Sequence, residues 1–313
     1  MKKKVLITGV AGFIGSHIAK KFLLEGFEVV GVDDLSTGKL SNVPEGLDFI
    51  CVDLSLSTSF KEFPNDCSLI LHLAGQSSGE ISYDDPIADL QKNVVSTLNL
   101  INYGIDVNAD KIIYASSMSV YGDVPDMPVK EFTLLNPLSA YGVGKLSTEG
   151  YLRVYQKVLP YVSLRMFNVY GPGQDLTNLR QGMVSIYLAQ AIQSGKIVVK
   201  GNLERFRDFI YIDDVVKAWY NAAINPDIKN IEINVGTGIR TTISELLHNI
   251  CYHFSGTTYM VQGSTPGDQV GIYADINLAS RYLELNKFTT LSEGLFLFKE
   301  WAQKQETSNK KLK

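Results

Sequence analysis

The chain has 313 residues, 45% of them hydrophobic and 20% charged, with a net charge of −4. That balance excludes a disordered chain, a fibrous repeat and a collagen, and it lacks the basic excess of a nucleic-acid coat. At roughly 150 residues per domain the length predicts two domains or one large α/β unit. The 26 glycines against 10 prolines point to tight turns and close backbone approaches rather than a flexible linker.

The N-terminus carries three lysines before Val5-Leu6-Ile7. The apolar run is too short for a signal peptide and no small-residue cleavage site follows, so a first strand is expected. No apolar run reaches the roughly 18 residues of a membrane span. Cys51, Cys67 and Cys251 show no CxxC or Cys/His spacing. Neither a disulfide framework nor a zinc site is expected, and a cytoplasmic setting fits best. The lysine-rich tail, 303–313, is expected to fray.

Short β-branched runs alternate with helical patterns through the first half. Strands are predicted over 4–8, 28–32, 48–52, 68–74, 111–116 and 162–167, and helices over 12–26, 89–104 and 141–159. This alternation predicts a parallel sheet covered on both faces. The second half is less regular. It offers helices over 182–194, 213–224, 243–254, 278–283 and 291–303, a strand over 197–200, and a strand over 231–235 that is a candidate to rejoin the main sheet. The expected fold is a Rossmann-type, doubly wound α/β sheet with a smaller C-terminal α/β domain. Residues 1–167, with 208–236 returning, form the first unit, and 168–207 with 237–313 the second.

Gly9, Gly12 and Gly15 sit between the first strand and the first helix, spaced GxxGxxG. Glycines there let backbone N–H groups approach a pyrophosphate, and a helix N-terminus favours its charge. Asp33 and Asp34 end the next strand. An acid about 20 residues after the glycines accepts hydrogen bonds from an adenosine ribose and repels a 2′-phosphate, which favours NAD over NADP. A pair of solvated turn carboxylates is the bland alternative. Asp53 is a weaker candidate, for the adenine amino group. His72 has no second ligand nearby and reads as a packed histidine rather than a metal site.

Tyr141 and Lys145 stand at i and i+4 on one helix face. A phenol titrates near 10, too high for a base at neutral pH. A neighbouring ammonium and an oxidised nicotinamide would lower it. Ser116 and Ser117 follow the fifth strand, whose C-terminal end faces the ligand crevice of such a sheet. A hydroxyl there can bond both the reacting oxygen and the tyrosine; a serine-rich turn is the plain alternative.

These residues resemble an extended short-chain dehydrogenase/reductase. More closely, the chain resembles the NAD-dependent nucleotide-sugar epimerase/dehydratase family, and within it UDP-glucose 4-epimerase-like enzymes. Leu164 to Gly173, Arg207 to Asp214, Gly267-Asp268 and Ala274-Asp275 are similar to later segments of that family. The resemblance implies catalytic roles for Ser117, Tyr141 and Lys145. It implies cofactor contacts along Gly9, Gly12, Phe13, Ile14 and Gly15, and at Asp33, Asp53, Leu54, Leu73, Ala74, Tyr141 and Lys145. Ser117, Asn168, Arg207 and Asp268 would hold the sugar-nucleotide.

Family dehydratases and decarboxylases carry acidic residues just after the serine; here Met118 and Ser119 stand there. What remains is 4-epimerisation by transient oxidation. A 4-keto-sugar reductase using NAD(P)H is the second enzyme reading, and a dinucleotide-binding scaffold the third. The intact Ser117, Tyr141 and Lys145 speak against a scaffold. A second diphosphate arginine of related epimerases corresponds to Thr265, with Arg180 or Arg240 as substitutes. Ile272 stands near the position that limits bulk at the sugar's 2-substituent and decides nothing about N-acetyl sugars. The helices from Asp89 and Tyr141 resemble a family dimer interface, so a homodimer is expected.

Overall fold

The structure is a computed structural model that describes residues 3–180, 182–263 and 270–311. In chain order its first half runs β1 (Lys4–Thr8), α1 (Phe13–Leu24), β2 (Glu28–Asp33), β3 (Asp48–Cys51), β4 (Leu69–His72), α2 (Ile81–Asp84), α3 (Pro86–Leu90), a wide π-type turn (Gln91–Val95), α4 (Ser96–Asp106), β5 (Lys111–Ser117), α5 (Ala140–Tyr155) and β6 (Tyr161–Met166). The second half runs β7 (Asn168–Tyr170), α6 (Met183–Ser194), β8 (Lys196–Val199), β9 (Phe206–Arg207), β10 (Phe209–Tyr211), α7 (Ile212–Ile224), β11 (Ile231–Val235), β12 (Thr241–Thr242), α8 (Ile243–His253), β13 (Thr258–Val261), β14 (Gly271–Ile272), α9 (Asn277–Leu283) and α10 (Leu291–Lys311).

Seven parallel strands make the main sheet in the order β11-β6-β5-β4-β1-β2-β3. The strand over 231–235 does join this sheet, beside β6. Successive strand residues serve opposite faces. Val5, Ile7, Leu69, Leu71 and Ile113 pack under α1, α7 and α9 around Trp219. Leu6, Ile70, Ile112 and Tyr114 pack under α4 and α5. Both faces are thus dry, which is why the strands read as continuous apolar runs. Lys111, buried at the start of β5, donates to the carbonyls of Ala222, Asn225 and Ile228 and so caps the end of α7.

The helix expected from Asp89 begins earlier. Asp85 caps α3 by accepting from the Ala88 N–H, with Pro86 in the first turn. α3, the wide turn and α4 then run on without a break from 86 to 106. A second core joins α6, α8 and α10 around Leu188, Ile197, Leu247 and Phe298. It is bordered by two- and three-residue strands that the sequence reading did not contain, β7 with β10 and β12 with β9 and β14. Among the described residues no helix is long and apolar enough to cross a membrane.

Candidate active site

Because the strands are parallel, the turns after β1, β2, β3, β4 and β5 all leave the same edge of the sheet. They line one cavity of about 1110 Å³ that runs from Asp33 and Asp53 to Ser117, Tyr141 and Asn168. A crevice outside the carboxyl ends of the strands is where such sheets bind ligands.

The glycine loop shows why glycine is needed. Gly9 has φ +71°, and a Cβ on Gly15 would overlap the Gly9 carbonyl oxygen. The loop therefore folds directly onto the start of α1. The first N–H groups of α1 have no helical partner, and no side chain caps them. Phe13 and Ile14 line the cavity beside them. This is a cradle for a pyrophosphate. Asp33 accepts from the Ala11 and Leu35 N–H groups at 3.0 and 2.9 Å, which fixes its carboxylate beside the loop. Burial pushes the Asp33 carboxyl up from its usual range, against those two hydrogen bonds. Asp53, Leu54, Leu73 and Ala74 complete this end of the wall. The donor set and the shape fit a dinucleotide.

His72 is fully buried. The Thr97 hydroxyl gives its proton to the Asn93 carbonyl, so it can only accept from His72 Nε2–H. His72 Nδ1 then accepts from Thr8, whose oxygen already accepts from the Leu73 and Ala74 N–H groups. A second ring proton has no acceptor, and burial holds the imidazole down at about 3. His72 is a neutral strut that positions the turn after β4.

The other end of the cavity is assembled from β5 and α5. Ser139 caps α5 by accepting from the Gly142 N–H at 3.1 Å. A Cβ on Gly142 would lie 2.6 Å from the Ser119 carbonyl oxygen. The bare glycine lets α5 sit directly on the turn after Ser117, and this brings Tyr141 within hydrogen-bonding reach of the serine hydroxyl. Ser117 also donates to Ser119 Oγ at 3.1 Å. Beneath them Ser116 donates to Glu149 Oε1, and Glu149 is paired with Arg165 at 2.7 Å, both buried. This pair ties α5 to β5 and β6.

Lys145 Nζ stands 4.9 Å from the Tyr114 ring centroid and 5.5 Å from that of Tyr141. Burial lowers Lys145 to about 8, opposed by the Asp89 carboxylate. Burial likewise pushes Tyr141 up to about 12, although the Ser117 hydrogen bond pulls it down. The expectation that an i+4 lysine depresses the phenol is thus outweighed, in the chain alone, by desolvation of both groups.

Asn168 lines the cavity and donates to the Asp208 carbonyl at 3.1 Å. Arg207 does not line the cavity. It is buried in β9, donates to the Phe206 carbonyl, and is lowered to about 10 by burial and by Arg205. Asp268, Gly267 and Thr265 lie outside the described residues. Arg180 pairs with Glu80 and Asp84. Arg240 lies 3.9 Å over the Phe206 ring, next to Thr241, the register partner of Arg207. Sequence reasoning missed Gln76, Asp89 and Lys92. Only the i, i+4 spacing of Asp89 and Asn93, which are hydrogen-bonded at 3.1 Å, was there to be read.

The NAD dependent epimerase/dehydratase family matches residues 5–236. A putative UDP-glucose 4-epimerase of Methanocaldococcus jannaschii is 34% identical, over 88% of this chain and 90% of its own length. The solved UDP-glucose 4-epimerase of Thermotoga maritima, with UDP-glucose, superposes with TM-score 0.93 at 31% identity, covering 97% of this chain and 99% of that one. The Thermus thermophilus UDP-glucose 4-epimerase in complex with NAD gives TM-score 0.85 at 32% identity, covering 96% and 99%. A Rossmann sheet, a dinucleotide cradle and this match lead to one statement: the chain belongs to the NAD dependent epimerase/dehydratase family and is an NAD-dependent enzyme.

Proposed function

We propose that the chain is a nucleotide-sugar 4-epimerase of the UDP-glucose/UDP-galactose type, working by transient oxidation of the 4-hydroxyl with tightly held NAD. One observation carries this reading. Ser117, Tyr141 and Lys145 converge at one end of the cavity, while the carboxylates among its described lining residues are Asp33, Asp34, Asp53 and Asp175. The first three stand at the adenosine end, and Asp175 pairs with Lys39. No carboxylate, histidine or cysteine among the described lining residues accompanies Ser117. Dehydration needs such an acid or base; reversible oxidation needs only the tyrosine.

NAD, when bound, supplies a hydride acceptor and donor for the sugar's C4. The glycine loop holds its pyrophosphate and Asp33 its ribose. Tyr141 removes the 4-hydroxyl proton and later returns it. Ser117 hydrogen-bonds the reacting oxygen and the phenol. Burial makes the phenol a poor acid, so its ionisation depends on positive charge, and Lys145 supplies that charge from its own helix. The nucleotide end falls to Asn168, Arg207 and Asp268, with Arg240 as the second cation beside Arg207.

We assign 1–167 with 208–236 to cofactor binding, and 168–207 with 237–313 to substrate binding. The partner we propose is a second copy. Ile87 and Leu90 on α3, with Val143, Tyr151 and Val154 on α5, are exposed apolar residues on adjacent helices.

The test is incubation with UDP-glucose and, separately, UDP-N-acetylglucosamine without added cofactor. Appearance of the C4 epimer supports the reading. No epimer with these or with dTDP-hexoses overturns it, and consumption of NADPH with a 4-keto sugar installs the reductase instead.

A further inference from the structure

The adenosine end of the cavity gathers three carboxylates, Asp33, Asp34 and Asp53, where the cofactor brings an anionic pyrophosphate. The Lys92 ammonium reaches into this group. Lys92 Nζ lies 2.5 Å from Asp34 Oδ2 and 2.8 Å from Asp53 Oδ2. The three residues come from three segments: Asp34 from the turn after β2, Asp53 from the turn after β3, and Lys92 from the wide turn between α3 and α4. All three residues line the cavity and are a quarter to a third exposed.

We propose that Lys92 is a positioning residue for the adenosine half of NAD, bracing the two acidic turns and cancelling part of their charge so that Asp33 and Asp53 can face a ligand that is itself anionic.

Each carboxylate also has contacts within its own turn. Asp34 accepts from the Ser36 N–H, and Asp53 from the N–H and hydroxyl of Ser55. Those contacts are local and cannot set the distance between the two turns. The β2–β3 register pairs Asp33 with Cys51, so the turns splay from adjacent strand ends. Lys92 spans them by pairing with both. Burial raises both carboxyls, but the Lys92 and serine hydrogen bonds outweigh it and hold Asp34 and Asp53 below their usual values. The pairs are therefore ionic at neutral pH. The backbone explains how Lys92 gets there. The π-type turn adds a residue to the helical repeat, so neighbours in sequence serve different tasks. Lys92 reaches the acids, while Asn93 is buried against Asp89 and the Thr97 hydroxyl.

The test compares the wild-type protein with Lys92→Met and Lys92→Arg, the bound NAD of each being measured and then removed, with AMP as the probe of the adenosine half and UDP as the probe of the other half. Lys92→Met is expected to weaken AMP about tenfold, to leave UDP unchanged, and to lower the NAD carried through purification. Lys92→Arg, which keeps the charge, is expected to recover most of the AMP affinity. AMP binding within twofold of wild type overturns the proposal, as does a parallel loss of UDP binding, which would mark a general loss of fold. If wild type itself ignores UDP, the epimerase reading falls, and unchanged circular dichroism replaces UDP as the fold control for the AMP comparison.

Discussion

The two halves of the cavity are built by different means. The cofactor end is made of backbone: strand ends in register, a glycine loop, helix N–H groups, with side chains added as trim. The sugar end is made of side chains that meet because α5 lies on the turn after Ser117, and its far wall rests on strands of two or three residues. A site made of backbone is specified by sheet order and survives many substitutions. A site made of converging side chains depends on a few packing contacts, and each can be broken singly.

The largest expected effect is at the converging end. Tyr141→Phe removes the proposed base while keeping the ring, so kcat should fall by about 10³–10⁴-fold with bound NAD retained. A variant with full turnover would sink the mechanism. Next, Glu149→Ala leaves Arg165 charged and buried. Thermal or denaturant unfolding should show a loss of about 3–5 kcal/mol. A loss near zero would mean that the pair does not hold α5 to the sheet.

At the backbone end the expected effect is smaller and depends on pH. His72 titrates near 3 in the folded protein against 6.5 for a free imidazole. As pH falls below 6.5 the unfolded chain takes up a proton that the folded chain refuses, so stability falls with pH. One such group contributes a slope of up to about 1.4 kcal/mol per unit. The contribution is complete above pH 6.5 and is lost progressively toward pH 3. Comparing His72→Gln with wild type between pH 5 and 6.5 should show a flatter slope in the variant; equal slopes would refute the neutral strut. The smallest effect belongs to the second core. Thr242 and Glu245 form a capping box at α8, and neither lines the cavity. Thr242→Ala should cost about 1 kcal/mol and leave turnover unchanged, checked by melting temperature and initial rates.

The same contrast decides what could be read from sequence. β1, β2, β4, β5 and β6 announce themselves because both faces are buried and the runs are mostly apolar, whereas β3 lies at the sheet edge and is only partly covered. The glycine loop and Asp33 follow from spacing along one β-turn-α-β unit. The strands β7, β9, β10, β12 and β14 carry no periodicity, since two or three residues cannot show one. They exist because a partner far along the chain completes their hydrogen bonds, as Asn168 does with Phe209. Arg207 reads as a ligand by resemblance; it is buried in the two-residue strand β9, where one of its hydrogen bonds goes to the Phe206 carbonyl. Lys92 was illegible for a related reason: its role lies between three segments. The start of α3 is written in the sequence, because Asp85-Pro86 is a cap followed by a helix-starting proline.

The wide turn over Gln91–Val95 gives the segment's length a meaning of its own. A helix advances about 100° per residue. Removing one residue from this turn would not merely shorten the helix. It would remove the extra residue of the π-type turn and restore the ordinary repeat, leaving α3 and α4 nearly in phase but moving the positions between them. The extra residue is therefore a local adjustment of where Lys92 stands, and a one-residue deletion there should disturb the acidic turns before it disturbs Asp89.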